Sequence, residues 1–197
     1  MAKYKLEEFF NSPLYRCELI HPERKNVTGY LNKPISLSTQ SDWSAMAEFP
    51  SVSRGLYTMQ AASGRTAMTW IGTSQAWQGT QPVNVSIGLT FVAIENSWEE
   101  VHEPCMRLLG WPLPEDKAQW PVIKTPLWLG LPGESGGYIH ALIGDHLIID
   151  SLLPQSVTID HDKVMDKGGI PVKAEVTIDF VTSCAMAATD IERWYIG

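Results

Sequence analysis

Residues 82–111 read PVNVSIGLTFVAIENSWEEVHEPCMRLLGW, and the change of period inside this stretch decides the fold class. Val83, Val85, Ile87, Leu89 and Phe91 alternate with Asn84, Ser86, Gly88 and Thr90, which puts every apolar side chain on one face of a strand entered through Pro82. The pattern then switches. Ser97–Trp98–Glu99–Glu100 has the spacing of a helix-start capping box, with acidic residues where the positive end of the helix dipole favours them. Val101 and the run Cys105–Leu109 continue the helix to a stop at Gly110. Pro104 removes an internal donor and is expected to kink or split it. Trp111–Pro112–Leu113–Pro114 then ends regular structure.

Working outward, Val172, Ala174, Val176, Ile178 and Phe180 alternate with polar residues as cleanly as the first strand. Shorter strand signals cover Leu14–Ile20, Val27–Leu31 and Ile35–Leu37, the last two separated by a turn at Asn32–Pro34. A strand region is also expected from Lys124 through Leu129, and another at Val157–Ile159. Tyr138–Ile143 and His146–Ile149 flank Gly144–Asp145, a tight-hairpin turn. Residues 160–169 read as a polar loop. Residues 38–66 are Ser-, Gly- and Thr-rich and weakly periodic, and read as a long loop or extended hairpin. Residues 1–13 read as an N-terminal arm ended by Pro13. The whole is expected to be one domain over 1–197, α+β and mainly antiparallel β: a barrel or sandwich with one flanking helix and a long loop insertion.

A chain of 197 residues buries enough surface to fold without a metal or disulfide. The net charge of -7 and the absence of a basic run argue against specific nucleic-acid binding. Cys17, Cys105 and Cys184 are odd in number and fit neither a zinc site nor a disulfide framework, so each reads as a small hydrophobe in a reducing compartment. The N-terminal residues lack a signal-peptide apolar core, and no apolar run is long enough to span a bilayer as a helix.

Three motifs invite chemistry. Gly133–Glu134–Ser135–Gly136–Gly137 looks like the nucleophile loop of chymotrypsin-type proteases, but Glu stands where that motif has Asp. The only earlier histidines, His21 and His102, sit in a charged turn and a Glu-rich helix. A Gly/Ser turn between strands explains the same residues. Asp160–His161–Asp162, with Asp166 nearby, offers metal-ligand types without the glycine and terminal glutamate of a calcium loop, and reads as a solvated loop. His140 and Asp150 are placed to face each other across a hairpin, as a surface pair. No catalytic residue, cofactor or metal site is therefore expected.

Taken in order, Leu127–Trp128–Leu129, Tyr138–Gly144, Ser156–Val157–Thr158–Ile159 and Gly169–Ile170–Pro171 leading into Val172–Phe180 resemble tail-tube-like baseplate proteins of contractile-tailed bacteriophages. The strand–helix unit 82–112 is similar to theirs as well. The resemblance covers about half the chain; residues 38–66 and the GESGG turn have no counterpart in it. It implies a tail-tube-like β-barrel or sandwich arranged as a six-fold ring, whose strands join those of its neighbours and whose loops reach the next ring. The function expected on that basis is a structural subunit of the baseplate or proximal tail tube. Its partners would be its own copies in a hexameric ring and adjacent tube, hub or sheath proteins, within a virion assembled in host cytoplasm. Interface candidates are Phe9, Phe10, Trp43, Phe49 and Trp194. The alternatives are a receptor- or carbohydrate-binding β-module and, further off, a serine protease using GESGG.

Overall fold

Two strands with the cleanest alternation, β6 (Asn84–Val92) and β9 (Lys173–Thr182), lie side by side and antiparallel from Asn84↔Val181 to Val92↔Lys173. Their inward residues Ile87, Leu89, Val176, Ile178 and Phe180 are buried. Each such side chain stabilises the fold by about 1.5–3 kcal/mol, against about 0.2–1 kcal/mol for an individual cross-strand pair. Burial therefore fixes the register, since a slip of one residue would turn this whole face to water.

The computed structural model describes residues 15–45, 53–55, 58, 74–114 and 137–195. They fall into two compact units, Met1–Ser38 with Val83–Gly197, and Thr39–Pro82. In the first, β1 (Arg16–Ile20), β2 (Val27–Leu31), β3 (Ser36–Ser38), β7 (Ile139–Ile143) and β8 (Leu147–His161) join β6 and β9 in the antiparallel order β2-β1-β7-β8-β9-β6-β3. Pairing of Tyr30 with Thr90 and Leu31 with Leu89 brings β2 onto β6 and closes six strands into a barrel. The fold is thus an α+β, mainly antiparallel β-barrel. The second unit contains the antiparallel ribbon β4 (Ser41–Ala45) and β5 (Gln75–Thr80). The expected strand at 124–129 and the arm 1–13 lie outside the described residues.

One strand differs from expectation. Leu147–Ile149, the greater part of the expected His146–Ile149 strand, and Val157–Ile159 belong to a single 15-residue strand, β8, and His146 lies in the turn before it. The register shifts between Ile139 and Ala141 on β7, and again between Pro154 and Ser156 on β8. Each shift is a bulge that resets the alternation, and Ser151, at φ 61°, takes up the first. Two resets within six residues erase the period-2 signal there.

The helix also starts differently. Trp98–His102 forms a π-helical turn that runs into α1 (Glu103–Gly110). Pro104 sits in the first turn of α1, where its missing N–H costs least, so the changeover from π to α absorbs the proline. A π turn holds an extra residue, and the helix start shifts to match. Asn96, not Ser97, supplies the side-chain oxygen that accepts the Trp98 N–H, at 3.1 Å. Glu100 reaches back four residues to Asn96, and also to the N–H groups of Ile94 and Glu95. Ser97 is instead buried, and the Asp166 carboxylate accepts the Gly168 and Ile170 N–H groups at 2.7 and 3.0 Å. Val101, Cys105, Leu108 and Trp111 from this segment are buried in the core cluster. A second, short helix, α2 (Ala188–Glu192), precedes Trp194, whose carbonyl accepts the Ile148 N–H at 2.8 Å.

The Ile94 N–H, then those of Glu95 and Asn96, hold the Glu100 carboxyl below its ordinary 4.5. A lowered carboxyl pKa contributes stability that is complete above the ordinary value and is lost as pH falls through the folded value. Glu100→Gln is therefore expected to lower stability at neutral pH and to flatten its loss on acidification below about 4.5; urea titrations across that range measure both. Parallel wild-type and variant curves would show that the carboxylate does not organise this helix start.

Candidate assembly surfaces

Strand β8 is longer than the strand beside it. On one side it pairs with β9 from Leu152 to His161, and on the other with β7 only as far as Leu152. Among the described residues, no strand pairs with the second edge from Leu153 to His161. From Gln155 to Ile159 this edge carries neither charge nor proline, the two residue classes that usually guard exposed edges. Val157 and Ile159 pack partly against the core, so the strand is held firmly from behind. The short β3 forms the other edge of this part of the sheet, with no further strand beside it among the described residues.

Between these edges the outer face is small and polar. Ser36, Ser86, Asp179 and Ser156 form one cross-strand row over β3, β6, β9 and β8. Ser86 and Ser156 each donate to a different Asp179 oxygen at 2.7 Å. The carboxylate is thereby saturated from both sides and ties three strands together. It organises a surface; it does not present a reactive group.

His140 and Asp150 meet as expected, with Nδ1 2.8 Å from the carboxylate, both exposed. No third group continues the pair into a catalytic relay among the described residues. Asp160 and His161 end β8 as exposed residues, and Asp162 follows. No group of three His, Cys, Asp or Glu able to hold a metal occurs among the described residues. Residues 133–136 of GESGG lie outside them. Of the two histidines ahead of that motif, His21 is buried, with its Nδ1 accepting the Glu23 and Arg24 N–H groups, and its ring lies 5.2 Å from Trp111. His102 packs at a tilt against Trp98, their ring centres 4.5 Å apart.

The ribbon of the second unit sets Trp43 directly opposite Trp77, beside a register shift, and the two are 59% and 58% exposed. Trp43 is thus surface, as an interface candidate must be. Trp194 is not: it is 2% exposed within the barrel's core cluster, because the chain after α2 folds back along β8. Its ring is unavailable to a partner in the folded subunit. Phe9, Phe10 and Phe49 lie outside the described residues. Cys17 and Cys105 are buried, and burial raises their thiols to about 12 and about 11. Cys184 is exposed, two residues past the end of β9 at Thr182. No helix among the described residues is long and apolar enough to cross a membrane.

No protein-family model matches the chain, and no curated protein matches it. A solved structure titled as the sheath–tube complex of an extracellular contractile injection system, PVC, in its extended state is similar at 9% identity and a TM-score of 0.35. That match covers 95% of this chain and 99% of the other.

The two tryptophans should respond oppositely to truncation. Trp194→Ala is expected to cost about 3–5 kcal/mol as a core deletion, and Trp43→Ala less than about 0.5 kcal/mol as a surface change. Thermal and urea unfolding check both, and comparable losses at the two positions would contradict this placement.

Proposed function

We propose that the chain is a non-catalytic structural subunit of a contractile tail, in the baseplate or proximal tube, that assembles with its own copies by strand-edge pairing. The observation that carries this reading is the open edge of β8. A strand edge that has no partner among the described residues, carries no charge from Gln155 to Ile159 and is held against a core is a ready template for another strand. Two edges without a partner among the described residues, β8 and β3, also suit a head-to-tail contact, the kind that closes into rings. The net charge of -7 supports a role beside nucleic acid without adhesion to it. The resemblance of the 127–180 strand order and the 82–112 unit to tail-tube-like proteins supplies the choice of assembly. His21 and His102, each engaged elsewhere, support the absence of a protease triad.

A second reading, a carbohydrate- or receptor-binding β-module, has one observation in its favour. Trp43 and Trp77 form an exposed aromatic pair of the sort on which sugar rings stack. It predicts saturable glycan binding that Trp77→Ala abolishes.

The assembly reading is tested by negative-stain imaging and light scattering of the purified protein, alone and with neighbouring tail components. Rings are expected, and Ile159→Lys, which puts a charge on the β8 edge, should leave a folded monomer as judged by circular dichroism. A wild-type protein that stays monomeric even with those components, or rings unchanged in Ile159→Lys, would overturn edge-driven assembly.

A further inference from the structure

The helical segment has two apolar stripes, and the barrel uses only one. Val101, Cys105, Leu108 and Trp111 are buried in the core. Trp98, His102, Met106 and Leu109 recur at intervals of four, four and three along the π turn and α1, and Leu113 follows in the bend just past the helix end. Trp98 is 50% exposed, Met106 57%, Leu109 49% and Leu113 56%, and Ile94, just ahead of the helix, is 69% exposed. Single exposed apolar residues need no explanation, but a continuous stripe of large ones marks an interaction surface. The Trp98 ring packs at a tilt against His102, their centres 4.5 Å apart.

The charges around the stripe select among occupants. From Ile94 to Pro114 the chain holds four glutamates against one arginine and no lysine. Glu100 is committed to backbone N–H groups, and Arg107 is paired with Glu103. Glu95 and Glu99 stand exposed at the helix start. A second copy placed face to face would set these glutamates against their own images. An anionic bilayer or a nucleic acid would meet the same repulsion. A protein surface with apolar side chains flanked by lysine or arginine is complementary in both respects.

We infer that the outward face of residues 94–113 docks another protein that presents apolar side chains with a basic flank. The inference is independent of ring assembly, because it concerns the helix and leaves the β8 edge untouched.

The test uses the full-length protein and a labelled synthetic amphipathic helix with leucines along one face and lysines beside them. Fluorescence anisotropy is expected to show micromolar binding. The triple variant Trp98→Ser/Met106→Ser/Leu109→Ser should weaken it at least about tenfold, which is about 1.4 kcal/mol, with an unchanged circular dichroism spectrum. Glu95→Gln/Glu99→Gln should weaken it less and reduce its dependence on salt. No binding of the lysine-flanked helix, equal binding of a glutamate-flanked one, or indifference to the triple variant would overturn the inference. Self-association lost in the triple variant would assign the face to a second copy instead, and capture by anionic vesicles would assign it to a membrane; either result would also overturn it.

Discussion

Closure of the barrel depends on a short contact, the pairing of Tyr30 and Leu31 on β2 with Thr90 and Leu89 on β6. Without it β2 and β6 would be two further open edges, and the six strands would form a twisted sheet with its apolar face half covered. The contact passes close to Gly88. The Asn32 backbone N–H donates to the Gly88 carbonyl at 3.2 Å, and a Cβ at Gly88 would lie 2.4 Å from the Asn32 carboxamide oxygen and 3.2 Å from Lys33 Cβ. A side chain at Gly88 would require the Asn32 carboxamide to swing away and Lys33 to give by a few tenths of an ångström. Past the crossing, β3 continues down the same edge of β6 as a separate three-residue strand.

The same closure creates the surfaces on which assembly would depend. Strand β8, with 15 residues, adjoins β7, with five. The excess extends past the β7 pairing, joined on one side to β9 and, among the described residues, to no strand on the other. The open edge is thus a consequence of strand length, held in place by a core that has no use for it. The helix is a parallel case. One of its faces completes the core through Leu108 and Trp111, and its second apolar face is left outside.

These relations explain what could be read from the residues. Strands β6 and β9 were legible because each keeps one strict alternation, and burial on one side only is what produces it. Strand β8 was not, since bulges at Ser151 and Gln155 rotate the following residues to the opposite face. The Ser97 box failed for a similar reason: a π turn moves each reciprocal partner by one position, from Ser97 to Asn96. Trp194, an interface candidate, is buried because the backbone bond from the Ile148 N–H to its carbonyl docks this segment onto β8. The outer stripe of Trp98, Met106 and Leu109 could not be separated from Val101, Cys105 and Leu108 by composition. Both stripes are apolar, and only the position of the barrel decides which one is covered.

The polar surface between the β8 and β3 edges bears on how such a subunit would work. Across Ser36, Ser86, Asp179 and Ser156 the side chains are short, and the one carboxylate is saturated by its neighbours' hydroxyls. A face of this kind has few groups able to grip a ligand: no exposed aromatic ring stands in the row, and its charge is engaged. Adhesion is concentrated where apolar area or unpaired backbone remains, on the helix stripe, the Trp43–Trp77 ribbon and the β8 edge. That division suits a component whose contacts are directed to particular neighbours while one broad face stays inert. It also separates the two readings physically, because edge pairing draws on backbone hydrogen bonds and is blocked by a charge on the edge, whereas sugar stacking requires the intact rings of Trp43 and Trp77.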